Sequence, residues 1–207
     1  MNVAAVQEER GPRKPKLLLR NMCDKLLPKI ESLPFLQEHR LKSTQQTYEI
    51  MAHVFLSTIR QLRQNSGFGL LNRHSQNVIL SHMWGPILVL RIAQSTIQLK
   101  NVSTFLQSTI TYIRSMNIDI LEQDLLENIL LCRNDLLEED KQASLAKCLQ
   151  EMAIDALQIK NTENKKRFLN LLLTLPTLYR PSAEFIYLTY FKPIIGEVTI
   201  ESIIVTI

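Results

Sequence analysis

The chain has 207 residues, 45% of them hydrophobic and 21% charged, with five glycines and 6% aromatics. That length holds one sizeable helical domain with its own core and a short appendage, and the composition excludes a disordered chain. The net charge of +4 sits in residues 10–20: taking Arg10, Arg13, Lys14, Lys16 and Arg20 from the 24 basic residues leaves 19 against 20 acids.

The basic character therefore belongs to a short arm and not to the domain. Such an arm serves more often as a solvated linker or localisation signal than as a nucleic-acid contact. The N-terminus, MNVAAVQEERGPRKPK, is polar and charged, so it is no signal peptide. Residues 14–45 read as a hinge punctuated by Pro15, Pro28 and Pro34, with a small apolar face from Leu17–Leu19, Leu26 and Leu27. From Thr47 to Gln64 the residues Tyr48, Met51, Ala52, Phe55, Ile59 and Leu62 form a helical stripe. Asn65-Ser66-Gly67 stops it, with Gly67 in the place where a left-handed glycine ends a helix.

The next helix, about Ser75 to Thr96, is apolar on nearly every face: Val78, Ile79, Leu80, Met83, Trp84, Ile87, Leu88, Val89, Leu90 and Ile92. A helix hydrophobic all round must be enclosed by others. Ser81, His82 and Arg91 interrupt it too often for a membrane span. It reads as the central strut of a three-layer helical domain. Pro86, beside Gly85, predicts a kink or local opening near His82. Further helices are expected at about 101–115, 119–133, 138–160, 162–178 and 182–194, with at most a remnant hairpin at Thr96–Leu99.

Little in the chain supports catalysis. The histidines 39, 53, 74 and 82 lack the spacing of a zinc protease, and Gly67-Phe-Gly69 is no phosphate cradle. His82 reads as a hydrogen-bonded helix residue, Cys132 and Cys148 as small packed hydrophobes, and Glu138-Glu139-Asp140 as acids at a helix N-terminus. Three cysteines, at 23, 132 and 148, have no metal-ligand spacing and point to a reduced intracellular compartment. No nucleophile, base and oxyanion donor assemble. The chain reads as not an enzyme.

Three ordered segments resemble nuclear-receptor ligand-binding domains. Phe68, Leu71, Gln76, Ile79, Leu80 and Trp84 match the family signature without a gap, which departs at Ser75 (Asp in the family) and at Pro86 (often Glu). RFLNLLLTLPTL, from Arg167 to Leu178, is similar to a second family segment. YFKPIIGEVTIESII, from Tyr190 to Ile204, resembles the tail of the tailless and photoreceptor-specific receptors. Met1–Arg13 looks like the segment following the second zinc finger in those relatives, sharing Met1, Asn2, Ala5, Val6, Gln7, Glu9, Arg10, Gly11, Pro12 and Arg13.

The resemblance implies an all-α, three-layer antiparallel helical sandwich over residues 46–207, a hinge at 17–45, and a C-terminal extension of an absent DNA-binding domain at 1–16. Arg10, Arg13 and Lys14 form the DNA-proximal arm, the chain starting past its zinc fingers by truncation or as a finger-less isoform. It further implies a nuclear, DNA-binding transcription regulator that needs no cofactor in this chain, with zinc in the upstream fingers. Its partners are coregulator helices, corepressors favoured, and a second copy or the retinoid X receptor; no membrane is involved.

By position, the coregulator groove takes Ile59, Arg63, Asn77 and Ser81, with Ile203 and Ile204 from the last helix. Thr206 stands where the family has an acid, so that helix is expected to dock weakly and the receptor to lean to repression. A ligand pocket would be lined by Met51, Val54, Phe55, Ile87 and Arg91, either open or filled by its own side chains, and Ser95 replaces the Arg that anchors acidic ligands. Phe168, Leu171, Leu172 and Leu175 are the dimer seam, with Leu169 and Leu173 to its other side. The alternative is a finger-less helical adaptor or apolar-ligand carrier that dimerises without binding DNA.

Overall fold

The computed structural model describes residues 44–99 and 102–207, and every regular element among them is helical. The basic arm with Arg10, Arg13 and Lys14, Cys23 and the expected hinge up to residue 43 lie outside the described residues, the last two hinge positions opening the first helix.

Helix α1 (Thr44–Leu62) carries the expected stripe inward: Met51, Phe55, Ile59 and Leu62 are all buried. It ends through side-chain capping of the following turn, where Asn65 Oδ1 accepts from the amides of Gly67 and Phe68, both at 2.9 Å. Gly67 has φ −92°, so it is not a left-handed cap. A Cβ there would lie 2.4 Å from Asn128 Oδ1, so a larger residue must displace that side chain. A single 3-10 turn (Phe68–Leu70) then leads into α2 (Arg73–Gln94), which Asn72 caps by accepting from Ser75 N at 2.8 Å.

Helix α2 is the strut. Eight consecutive residues, Met83 to Leu90, are buried. Against it pack α1, α3 (Thr104–Ser115), α4 (Ile120–Leu131), a 3-10 segment (Leu175–Tyr179) and α7 (Ala183–Ile186). The helix runs without interruption through Pro86. Gly85 explains part of this: its missing side chain lets Ala183 of α7 approach to where a Cβ would meet Ala183 Cβ at 3.0 Å, so tertiary packing clamps the helix at the proline. Arg114 of α3 closes the far end of α2, donating to the main-chain oxygens of Ile92, Ala93, Ser95 and Ile97 at 2.7–3.2 Å. A helix leaves its last carbonyls short of intrahelical donors; here the Ile92 oxygen also accepts from Ser95. The expected strand remnant at 96–99 is irregular backbone.

Helix α4 opens with a capping box: Asp119 accepts from Glu122 N at 2.9 Å, and Glu122 accepts from Asp119 N at 3.1 Å. It packs along α5 (Asp140–Lys160), whose start carries Glu139 and Asp140 as the acid run predicts. Cys132 is buried and its thiol is pushed up to about 12 by desolvation, whereas Cys148 faces solvent, contrary to expectation. Helix α6 (Lys165–Thr174) continues as the 3-10 segment at Pro176, so the regular helix is shorter than the apolar run suggests.

The C-terminal rod spans residues 183–195. It joins α7, a π turn (Tyr187–Phe191) and α8 (Lys192–Ile195). After Gly196, whose φ is +67°, the short α9 (Ile200–Thr206) closes the chain, capped by Thr199. No helix among the described residues is long and apolar enough to cross a membrane.

Candidate functional site

Three of the residues assigned to a coregulator groove, Arg63, Asn77 and Ile204, meet just past the end of α1. Arg63 Nη1 donates to Gln76 Oε1 at 3.1 Å, and Nη2 donates to Asn77 Oδ1 and to the Ile204 main-chain oxygen, both at 2.7 Å. Gln76, 5% exposed, is held from its other side: its amide nitrogen donates to the Leu71 oxygen at 2.9 Å and lies near those of Phe68 and Gly69. One buried glutamine thus ties the loop before α2 to the arginine that faces the last helix. Partial burial and the nearby Arg73 charge pull Arg63 down to about 10, so it stays a cation at neutral pH.

Helix α9 lies against the domain with its apolar side inward. Ile200, Ile203 and Ile204 are buried, and the Arg63 fork takes up a carbonyl near its C-terminus, where the helix dipole favours a cation. Three buried isoleucines supply contacts that one and a half turns of backbone alone cannot. Ile59 is buried beneath. Asn77 accepts from Arg63, while Ser81 turns its hydroxyl onto the Val78 oxygen at 2.7 Å. His82 Nδ1 lies 2.9 Å from the Val78 oxygen, on an exposed face.

Of the residues assigned to a ligand pocket, Met51, Val54, Phe55 and Ile87 are core. Phe55, Trp84 and Phe191 form a ring cluster with edge-to-face centroid distances of 5.4–5.9 Å. Arg91 does not join them. Its guanidinium pairs with Glu127 of α4 at 2.6 and 2.7 Å and donates to Gln61 at 3.0 Å. Burial raises the Glu127 carboxyl above the usual range despite Arg91 and Gln123. Ser95 caps the end of α2. An open surface cleft of about 560 Å³ lies elsewhere, lined by Ile129, Leu130, Arg133, Gln150, Leu175, Pro176 and Tyr179.

On α6, Leu171 is fully buried, Phe168 and Leu172 are half-buried, as is Leu175 at the start of the 3-10 segment, and Leu169 and Leu173 are 55% and 65% exposed. The solvent-facing ridge is therefore the Leu169/Leu173 pair, one helical turn apart. Met152 and Ile159 of α5 are also exposed.

Sequence reasoning passed over one polar junction. Arg167 pairs with the almost fully buried Glu122 at 2.6 Å and 3.1 Å and donates to the main-chain oxygens of Met116 and Asn117. Asn117 adopts φ +46°, and Lys160 binds Asp119 at 2.9 Å. The Asp119-x-x-Glu122 capping pattern was the available signal, since a buried carboxylate so close to a helix start calls for a cation. Among the described residues no cluster of His, Cys, Asp and Glu is arranged to hold a metal. Compared with protein-family models and with curated proteins, the sequence matches none.

Proposed function

We propose that this chain is the coregulator-binding module of a nuclear transcription regulator of the nuclear-receptor type, a three-layer antiparallel helical sandwich over residues 46–207 that leans to repression. The convergence of Arg63, Gln76, Asn77 and Ile204 carries the reading. A fixed cation at the end of one helix, beside a buried strut and a short terminal helix, suits capture of an amphipathic partner helix by its C-terminal dipole. DNA contact falls to upstream zinc fingers, with Arg10, Arg13 and Lys14 near it. Self-association falls to α6.

The rings of Phe55, Trp84 and Phe191 favour a ligand-independent form, in which the protein's own side chains fill the space a ligand takes in relatives of this type. Repression fits the same geometry, because α9 already engages Arg63 and a corepressor helix competes with it directly. The test is titration of the purified chain with labelled corepressor-type and activator-type helical peptides. Preferential corepressor binding is expected, tightened when residues 199–207 are removed and lost in Arg63→Glu. Binding of neither peptide, before and after that removal, rejects the groove.

A further inference from the structure

The C-terminal rod is built in two halves of unequal attachment. Its N-terminal half is fixed: Ala183 packs into the notch at Gly85 of the strut, and Ile186 is fully buried. Its C-terminal half is a four-residue helix, α8, that runs into Gly196 at φ +67° with open space around that residue. Between the halves lies the π turn Tyr187–Phe191. Single π turns are rare, and each carries one more residue than the α-helical register requires.

That extra residue governs three contacts at once. Tyr190 and Phe191, consecutive in sequence, are both about 1% exposed. The Tyr190 hydroxyl accepts from Ser103 N at 3.1 Å at the start of α3, and Phe191 completes the cluster with Phe55 and Trp84. The Tyr187 hydroxyl lies 3.2 Å from both the Gly196 and the Val198 oxygens, bracing the turn that aims α9 at Arg63. Relaxing the π turn to α-helix rotates everything after it by about 100° and shifts it by about 1.5 Å. The anchored half cannot follow.

We propose that the π turn Tyr187–Phe191 is a register switch that sets whether the last helix, α9, is locked against Arg63. In the π register Phe191 is seated, Tyr187 braces the Gly196 turn, and α9 is held. In the α register Phe191 leaves Phe55 and Trp84, the brace parts, and α9 comes away from the Arg63 fork. This inference rests on the seat of α9 and not on the receptor reading, so it stands or falls separately from peptide binding.

Two measurements on the full chain test it. The first is amide hydrogen exchange of the unaltered protein: residues 191–195 and 200–206 are expected to open together, with a common protection below that of α2. Unrelated protection of the two segments overturns the proposal. The second uses deletion of Thr189, a half-buried residue inside the turn, which lets the rod become regular α-helix with Tyr190 and Phe191 still facing inward. Exchange of 200–206 should slow by about tenfold in the deletion variant, and Tyr187→Phe should speed it in the parent. Exchange at the parental rate overturns the switch; if the deletion variant does not fold, the common-opening measurement decides alone.

Discussion

Arg63 and Ile204 stand 141 positions apart, yet Arg63 Nη2 donates to the Ile204 main-chain oxygen at 2.7 Å while the same nitrogen serves Asn77. The planar fork can satisfy several acceptors at fixed angles, which a lysine ammonium cannot match. Arg63→Ala leaves the Gln76 and Asn77 oxygens and the Ile204 carbonyl without a donor. A loss of about 2–3 kcal/mol is expected in urea denaturation, given the worth of hydrogen bonds from a charged group. Exchange of residues 200–206 should rise with it, and Arg63→Lys should recover less than half the loss. With Arg63 at about 10, the lock should be insensitive to pH from 5 to 8; a loss of α9 protection within that range would refute the assignment.

Two buried glutamates on α4 give opposite pH responses. Burial pushes Glu122 up, but the Arg167 fork and the Asp119 amide outweigh it and hold the carboxyl below its ordinary 4.5. With a depressed folded value, the unfolded chain binds more protons, so this contribution is present above 4.5 and lost as pH falls through the folded value. Glu127 runs the other way, because burial holds it above 4.5 and the folded state keeps the proton longer. Its penalty is present at pH 7 and is relieved as pH falls through that raised value. In denaturant titrations from pH 7 to 3, Glu127→Gln should therefore lose stability relative to the parent as pH drops. Glu122→Gln should be the worse variant at pH 7 and approach the parent below pH 4. Parallel curves for both variants would contradict these opposed environments.

The helices were readable where burial repeats along one element. The α1 stripe at Met51, Phe55, Ile59 and Leu62, and the all-round apolar run of α2, are periodic signals that any enclosing fold must satisfy. The Gly85–Ala183 contact beside Pro86 joins positions about a hundred residues apart, so no local pattern in the chain announces it. For the same reason the convergence on Arg63 could be suspected by position but its use on Ile204 could not. The π turn leaves no periodic trace: Tyr190 and Phe191 fit an α-helical face as well as a π one. Leu169 and Leu173 alternate with inward residues on a helix apolar on two sides, so the sequence did not say which side faces water.

Gly67 and Asn128 make a second narrow fit. Asn128 Oδ1 accepts from Phe68 N at 3.2 Å, and the side chain sits where a Cβ on Gly67 would come within 2.4 Å. Gly67→Ala must move Asn128, breaking that bond and its amide's link to the Asp124 oxygen at 2.9 Å. A cost of about 1–3 kcal/mol is expected from leaving a buried amide unsatisfied. Pairing it with Asn128→Ala, which removes the clash, should give clearly less than the sum of the two losses in a double-mutant cycle. Additive losses would mean that Gly67 is constrained by something other than Asn128.

The exposed ridge of α6 separates self-association from folding. Leu171 is at 0% exposure, so Leu171→Ala should cost about 2–5 kcal/mol through the cavity it leaves. Leu169 and Leu173 project outward at 55% and 65% exposure, and α5 adds the exposed Met152 and Ile159. Large aliphatic side chains spaced one turn apart on a surface helix mark a contact face when several occur together. The double variant Leu169→Glu, Leu173→Glu should keep its thermal stability within about 0.5 kcal/mol, as surface changes do. If α6 is the seam, light scattering should show a particle of half the parental mass. An unchanged mass in a folded double variant would move the seam away from α6, and a monomeric parent would remove it altogether.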